Sequence, residues 1–587
     1  MILSKNRLRW RLGAILAVFA LIVAACGGDD EPGDTTAAPT PTTTEGTPGT
    51  TEPGDTTAPP TTGDGGGDAN ITTYIGEPEH LAPAQTNESE GSAVLKALFA
   101  GIYDYDAETT EPDFGNGVGE SLTSPDNGLT WEVALDDGWT FHDGTPVTAN
   151  SFVDAWNYNA YGPNASQLAG FFSPIAGFGD LQCGVIQDAD GNDVPDCEGT
   201  PPTGDALSGL TVTDDLHFTI TLDEAQTFFG TQLGYTAFYP VPESFFADPV
   251  AFEEHPVGNG PFMMDGDWVH DTEIKTVANP NYAGTDAPQV AGVTFKIYAD
   301  VNTAINDLEA GNLDIVDSVT PERADEVKGI APNFGESPSS SINYLGFPLY
   351  DANYQDPNIR AALSMAIDKE ALVASPIFNG TRQAAFNLQS PVIPGYQETV
   401  CPNWNYDPAA AKTLWDAAGG LDSVVVWFNA GAGHDQWVDA VVNMWAQNLG
   451  LDPTSVTYEQ LEFADYLPKL DGKEVTGPFR LGWGMDYPHP QNYWQLLLDS
   501  RFGSDVGGSN STFYVNPDFD AKVDEANAQA DLADAIPLYQ EAAAIACNDT
   551  PLIPMFFGLN QYSWNDTVGG VYVDAFGNLD YLALTAG

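Results

Sequence analysis

Past residue 70 the chain runs on for roughly 517 residues in which helix and strand signals alternate, and nothing constrains its fold more tightly than that. One hydrophobic core seldom organises more than about 250–300 residues, so this segment divides into at least two lobes. Trp131, Val133 and Leu135 alternate with polar residues, as on a half-buried strand, and Val293, Phe295 and Ile297 repeat the period of two. Val212, then Asp214-Asp215, then Phe218, Ile220 and Leu222 read as a hairpin. A helix near 303–310 stops at Gly311. Asp356-Pro357 and Asp407-Pro408 are N-cap and first-turn pairs. The first opens a helix that reaches Ile367; the second opens one over 409–418, closed by Gly419-Gly420. Residues 423–428 are a continuous apolar run, as expected of a strand covered on both faces. Residues 436–449 read as a helix ending at Gly450, and 479–483 as a strand again. The expected fold class is therefore α/β, with a mostly parallel sheet in the second lobe. Ligands of such sheets gather beyond the C-terminal ends of the strands, so the residues just after Trp483 are the first place to look for a site.

The N-terminus places the chain outside the cytoplasm. Lys5, Arg7, Arg9 and Arg11 precede an apolar run over 12–25, too short to cross about 30 Å of hydrocarbon. Residues 1–25 read as a secretory signal. The exit, Val23-Ala24-Ala25-Cys26-Gly27-Gly28, resembles the bacterial lipobox, with Val23 where Leu is preferred. That resemblance implies a lipid on Cys26 and a chain anchored on the extracytoplasmic face of the cell membrane. Residues 26–70 are Thr, Pro, Gly, Asp and Glu with almost nothing to bury, and read as a disordered leash.

All 84 Asp and Glu follow the signal, against all but four of the 18 Lys and Arg. A chain of net charge about −70 cannot neutralise phosphates, which excludes nucleic acid as a partner. An acidic surface of this kind suits a salty outside medium. Cys183 and Cys197 lie in one Gly/Asp/Pro-rich loop, where export favours a local disulfide. Cys401 and Cys547 pair only if the fold brings them together.

Six blocks carry a family likeness, in order along the chain. They are Leu98-Phe99-Ala100-Gly101-Ile102, Phe141-His142-Asp143-Gly144-Thr145-Pro146-Val147-Thr148-Ala149, Val257-Gly258-Asn259-Gly260-Pro261-Phe262, Asn279-Pro280-Asn281-Tyr282, Arg360-Ala361-Ala362-Leu363-Ser364-Met365-Ala366-Ile367-Asp368 and Gly482-Trp483-Gly484-Met485-Asp486-Tyr487-Pro488-His489-Pro490. Together they resemble the extracytoplasmic solute-binding proteins of ABC importers, family 5, of the peptide, oligopeptide and nickel type. Asn259 stands where that family usually has Thr. The resemblance implies a large type II two-lobed periplasmic-binding-protein-like fold with an inserted satellite subdomain. Lobe I would comprise 71–115, 228–340 and 555–587, the satellite 116–227, and lobe II 341–554. A solute would be enclosed between the lobes by hinge closure and passed to the transmembrane permease subunits, by a monomer without a cofactor.

In the peptide-binding members the acid at the position of Asp486 pairs with the ligand's α-amino group. A carboxylate shielded by Trp483 and Tyr487 suits that task, because an ammonium is held more strongly there than in bulk water. The competing reading is a turn Asp that accepts backbone N–H groups. Tyr344, on the expected hinge-crossing segment 342–346, is a further candidate for the cleft lining. Main-chain hydrogen bonds would hold an extended peptide without reading its side chains.

Asp188, Asp190, Asn192 and Asp196 set oxygen ligands at alternate positions around Gly191, a spacing that suits Ca²⁺, although the register matches no complete EF-hand. A plain solvated loop is the alternative. His80, His142, His217, His255, His270, His434 and His489 are scattered without an i,i+4 pair, and no hydrolase, zinc or nucleotide motif is present. An enzyme is thus the less favoured class. An oligosaccharide, an opine-like compound or a metal chelate stays open as the solute, and a surface hydrolase or a ligand sensor as the role.

Overall fold

The computed structural model describes residues 69–187, 193–320, 323–330, 332–430, 433–506 and 508–587. The signal, Cys26, nearly all of the leash, and Asp188, Asp190 and Asn192 lie outside the described residues. Among those described, no helix is long and apolar enough to cross a membrane.

The chain enters on β1 (Asn70–Ile75), whose Ile71, Thr73 and Ile75 turn inward. Helix α1 (Ser89–Leu98) is capped by Glu88, which accepts from the Gly91 N–H at 3.1 Å. Strands β2 (Gly119–Thr123), β3 (Thr130–Leu135), β4 (Leu210–Asp214) and β5 (His217–Thr221) form a separate antiparallel sheet in the order β2-β3-β5-β4. Beside that sheet, Cys183 and Cys197 are joined, with Cα atoms 4.7 Å apart.

The rest builds one eleven-stranded sheet. Its first part is β6 (Phe262–Met264), β7 (Glu273–Ala278), β8 (Gly292–Ile297) and β9 (Ile315–Val316) around β1. Helix α2 (Val301–Ala310) lies between β8 and β9 and ends on left-handed Gly311. Two long strands follow, β10 (Asn333–Gly346) and β14 (Leu552–Trp564). Between them in sequence come α3 (Pro357–Met365), α4 (Pro408–Ala417), β11 (Val424–Asn429), α5 (His434–Leu449), β12 (Val456–Leu461), β13 (Phe479–Trp483) and α6 (Gln491–Leu498). The strand order is β6-β7-β8-β1-β9-β14-β10-β13-β11-β12, with Arg382–Ala384 pairing with β14 off that path.

Local chemistry accounts for the helix ends. Asp356 and Asp407 accept from the N–H groups of Asn358 and Ala410 at 2.9 Å, with Pro357 and Pro408 in the first turn. α3 ends at Met365, two residues before the end expected from sequence.

The expectation of a mostly parallel second-lobe sheet needs correction. β13, β11 and β12 are parallel, but β10 runs antiparallel to β13 and to β14. β10 and β14 are long neighbours that lie between the two sets of strands and run in opposite directions.

One core gathers Ile71, Leu98, Phe152, Phe218, Phe295 and, from the C-terminal segment, Tyr562, Leu579 and Leu584. Two others gather residues between Ile342 and Phe557, with Trp445 in one and Trp494 in the other, the latter also taking in Ala575. Cys401 and Cys547 are joined within the latter, with Cα atoms 6.0 Å apart. The distant sequence blocks also meet. Asn259 is 1% exposed, accepts from the Ala100 N–H at 3.0 Å and donates to the Ala100 carbonyl at 2.9 Å. Gly260 packs so closely that a Cβ would fall 2.5 Å from the Leu98 carbonyl carbon.

Candidate ligand-binding site

β13 ends at Trp483 and the chain enters a loop before α6, as its pattern predicts. Asn492, fully buried on α6, ties that loop together. Its Oδ1 accepts from the Trp483 indole at 3.2 Å and from the Asp486 N–H at 3.1 Å, and its Nδ2 donates to Asp486 Oδ2 at 2.9 Å. Met485 donates through its backbone N–H to Ser340 Oγ at 3.3 Å, which fixes the loop to the crossing strand β10.

Asp486 is partly exposed, yet its carboxylate is recessed enough that desolvation raises its pKa to about 7, against a smaller lowering by the Asn492 hydrogen bond. Among the described residues it forms no ion pair. Tyr487 is 4% exposed, donates to Gln491 Oε1 and lies parallel to Phe228, with ring centroids 6.4 Å apart. Phe228 comes from the first part of the chain and also meets the His489 ring at 5.8 Å. Beside it Thr227 Oγ1 donates to the Asn527 carbonyl at 2.7 Å. Two distant segments therefore meet beside the loop that carries Asp486.

The four sequence candidates separate into two groups. Asp486, Trp483 and Tyr487 occur together, with Tyr487 serving as wall because its hydroxyl is already engaged. Tyr344 stands apart from these three on β10: it is 3% exposed, about as covered as Tyr487, and packs in a core with Ile342, Trp404 and Met485. β10 is central in the sheet, and Ile342, Tyr344 and Leu345 are covered while Glu336 and Pro338 stay exposed, which the sequence segment alone did not reveal. Asp196 accepts from the Gly199 N–H at 2.8 Å, an ordinary turn contact. His142 is half-buried and His489 buried, and both hold backbone groups: Gly258 and Gln491 N–H donate to their Nδ1 atoms at 3.1 Å. Burial lowers their pKa values to about 4 and about 3.

Sequence reasoning missed Arg480, also on β13. Its guanidinium donates to Asn343 Oδ1 and, at 3.2 Å, to Asn429 Oδ1, and burial lowers its pKa to about 10. Among the described residues no carboxylate pairs with it. The available signal was a basic residue inside a strand, in a chain with only 18 Lys and Arg. A recessed cation lacking an anion, and a recessed anion lacking a cation, are thus carried on one strand and the loop that follows it. Along the chain they are separated by roughly 10–20 Å.

Residues 114–505 match the model of the bacterial extracellular solute-binding proteins, family 5. This chain belongs to that family. It is 22% identical to the oligopeptide-binding protein OppA of Bacillus subtilis over 97% of this chain and 98% of the relative. It is 27% identical to the periplasmic oligopeptide-binding protein OppA of Salmonella typhimurium, over 84% of this chain and 88% of that one. Heme-binding protein A of Haemophilus influenzae is 28% identical over 63% of this chain and 68% of its own length. Among solved structures, the unliganded open form of the murein tripeptide binding protein MppA superposes with a TM-score of 0.76 at 22% identity, covering 89% of this chain and 98% of that one. Haemophilus influenzae OppA in complex with RPPGFSPFR gives 0.64 at 20% identity, over 88% and 99%. The family-5 fold, two lobes around a mixed α/β body, is therefore the fold of this chain. The relatives' names include peptides and heme, so family membership alone leaves the solute undefined.

Proposed function

We propose that this family-5 protein captures short peptides between its lobes and delivers them unaltered to the transmembrane permease of an ABC importer. The observation that carries the reading is the pair of unneutralised charges, Asp486 and Arg480, on and just beyond β13. A peptide is a zwitterion: its ammonium would face Asp486 and its carboxylate Arg480. Three extended residues span about 10 Å, at the lower end of the separation along the chain. Names of relatives such as OppA and MppA support the same class of solute.

Trp483 would cover the amino end. Closure would bend at residues 339–341 of β10, where the pairing with β14 shifts register between Pro338 and Ile342. The lobes would divide as 71–115, 228–340 and 555–587 against 341–554, with the satellite at 116–227. The chain would act as a monomer held on the extracytoplasmic face of the cell membrane by lipid on Cys26. It would perform no chemistry.

Titration calorimetry of Asp486→Ala with a free-amine tripeptide tests the reading. Removing one partner of a desolvated charge pair costs about 2–5 kcal/mol, so affinity is expected to fall 30-fold or more. Unchanged affinity would remove the peptide reading in favour of another solute, such as the metal chelate that the heme-binding relative brings to mind.

A further inference from the structure

The first lobe carries a second recessed carboxylate that the peptide termini leave unused. β8, β1 and β9 are parallel, and the register Thr73↔Ile315 sets Asp317, just past the end of β9, beside Ile75 at the end of β1. The next residue is Gly76, where a Cβ would lie 3.0 Å from Glu90 Oε1 and 3.5 Å from its carboxyl carbon. Glu90 and Asp317 therefore flank the C-terminal end of one strand, the edge at which open α/β sheets receive ligands.

Among the described residues no Lys, Arg or His forms an ion pair with either acid, and the Asp317 carboxylate is held by a hydrogen bond from its own backbone N–H. Desolvation raises the pKa of Asp317 to about 7, with the charge of Glu90 adding to it. Glu90 is raised by burial and then by Glu79. Tyr74 lies among the same acids: burial and then Asp317, Glu90 and Asp300 raise its pKa. Glu90 sits in the first turn of α1, where the helix dipole favours a carboxylate. Asp317 has no such support.

A separate observation marks the same place. Tyr581 is 4% exposed and its hydroxyl has no hydrogen-bond partner. After burial, the largest influence on that hydroxyl is Asp317, with Lys96 acting in the opposite direction and Asp574 in the same one. A buried phenol and a carboxylate that do not satisfy each other leave room for a donor to both.

Burial and then Asp486 and Glu88 raise Tyr235, so both acids act on one phenol. Glu88 in turn feels Glu90.

We propose that Asp317 and Glu90 form a receptor for a cationic side chain, so that the captured peptide carries lysine or arginine in addition to its free amine. The inference rests on the peptide reading above and deepens it. A neutral side chain would leave two like charges facing each other without compensation; an ammonium or guanidinium donates to both carboxylates and to the Tyr581 oxygen.

The test compares tripeptides containing lysine with the same tripeptides containing norleucine, by titration calorimetry at pH 8, against the wild type and Asp317→Asn. The wild type is expected to prefer the lysine peptides at least tenfold. Asp317→Asn should reduce that preference below threefold while binding the norleucine peptides within twofold of the wild type, which also reports that the variant is folded. Equal affinity of the wild type for both peptides, or a preference retained in full by Asp317→Asn, overturns the receptor and leaves the peptide reading standing. Failure of the wild type to bind any of the peptides overturns both.

Discussion

The two lobes share a device and equip it differently. Each contains three parallel strands, β8-β1-β9 in one and β13-β11-β12 in the other, and the long strands β10 and β14 join the two sets. Past the strand ends of the first set lie the acids Glu90 and Asp317, beside Gly76. The second lobe offers both signs, Arg480 within β13 and Asp486 just beyond it. A surface with both signs at a fixed spacing can measure a zwitterion's length. A surface with one sign can only select for its opposite. The difference teaches that reading the peptide's ends and reading its side chains can be divided between lobes.

The largest effect expected from breaking this comparison is at the cationic end. Arg480→Gln should weaken a free-acid tripeptide about 10- to 100-fold, the cost of leaving a carboxylate without its charge-assisted partner. The C-terminally amidated peptide should lose less than threefold. Calorimetry on the two peptides reads the distinction, and equal losses would mean that Arg480 only packs.

A smaller effect is expected from pH. Asp486 must be ionised to hold an ammonium, and its pKa is about 7. Affinity for a peptide with a fixed positive end should therefore fall about tenfold from pH 8 to pH 6. Stability of the empty protein has the opposite sign. The folded pKa of Asp486 lies above the ordinary carboxylate value near 3.8, so its contribution is fully present below that value and is lost as pH rises through about 7. Tyr235, Tyr487, Tyr493 and Asn492 face this carboxylate and supply no charge that would offset the loss at neutral pH. Denaturant melts of the peptide-free protein at pH 5 and pH 8 should show greater stability at pH 5, provided other acids are compared in Asp486→Asn.

What the sequence made legible follows from the range of the forces involved. The bounds of β13, the caps Asp356 and Asp407 and the stop at Gly311 depend on neighbours a few residues away, and each was readable. Asp486 was readable through the motif around it. Asn492, the residue that orients it, was not, because three hydrogen bonds to one buried amide leave no periodicity. Arg480 needed Asn343 and Asn429, which are far from it in the chain, before it became a recessed cation. Asp317 and Glu90 become neighbours only through the register of β1 with β9. The burial of Tyr344 was not readable either, because burial on a central strand depends on what packs over it. The antiparallel course of β10 and β14 is likewise a property of strands far apart in the chain.

The most direct test is a thermodynamic cycle between Asp486 and the peptide amine. Affinities are measured for a free-amine tripeptide and its N-acetylated form, each against the wild type and Asp486→Asn. Pairing requires that acetylation cost the wild type tenfold or more and the variant almost nothing, a coupling above about 1.4 kcal/mol. Equal losses on acetylation in both proteins would mean that the amine and Asp486 do not meet.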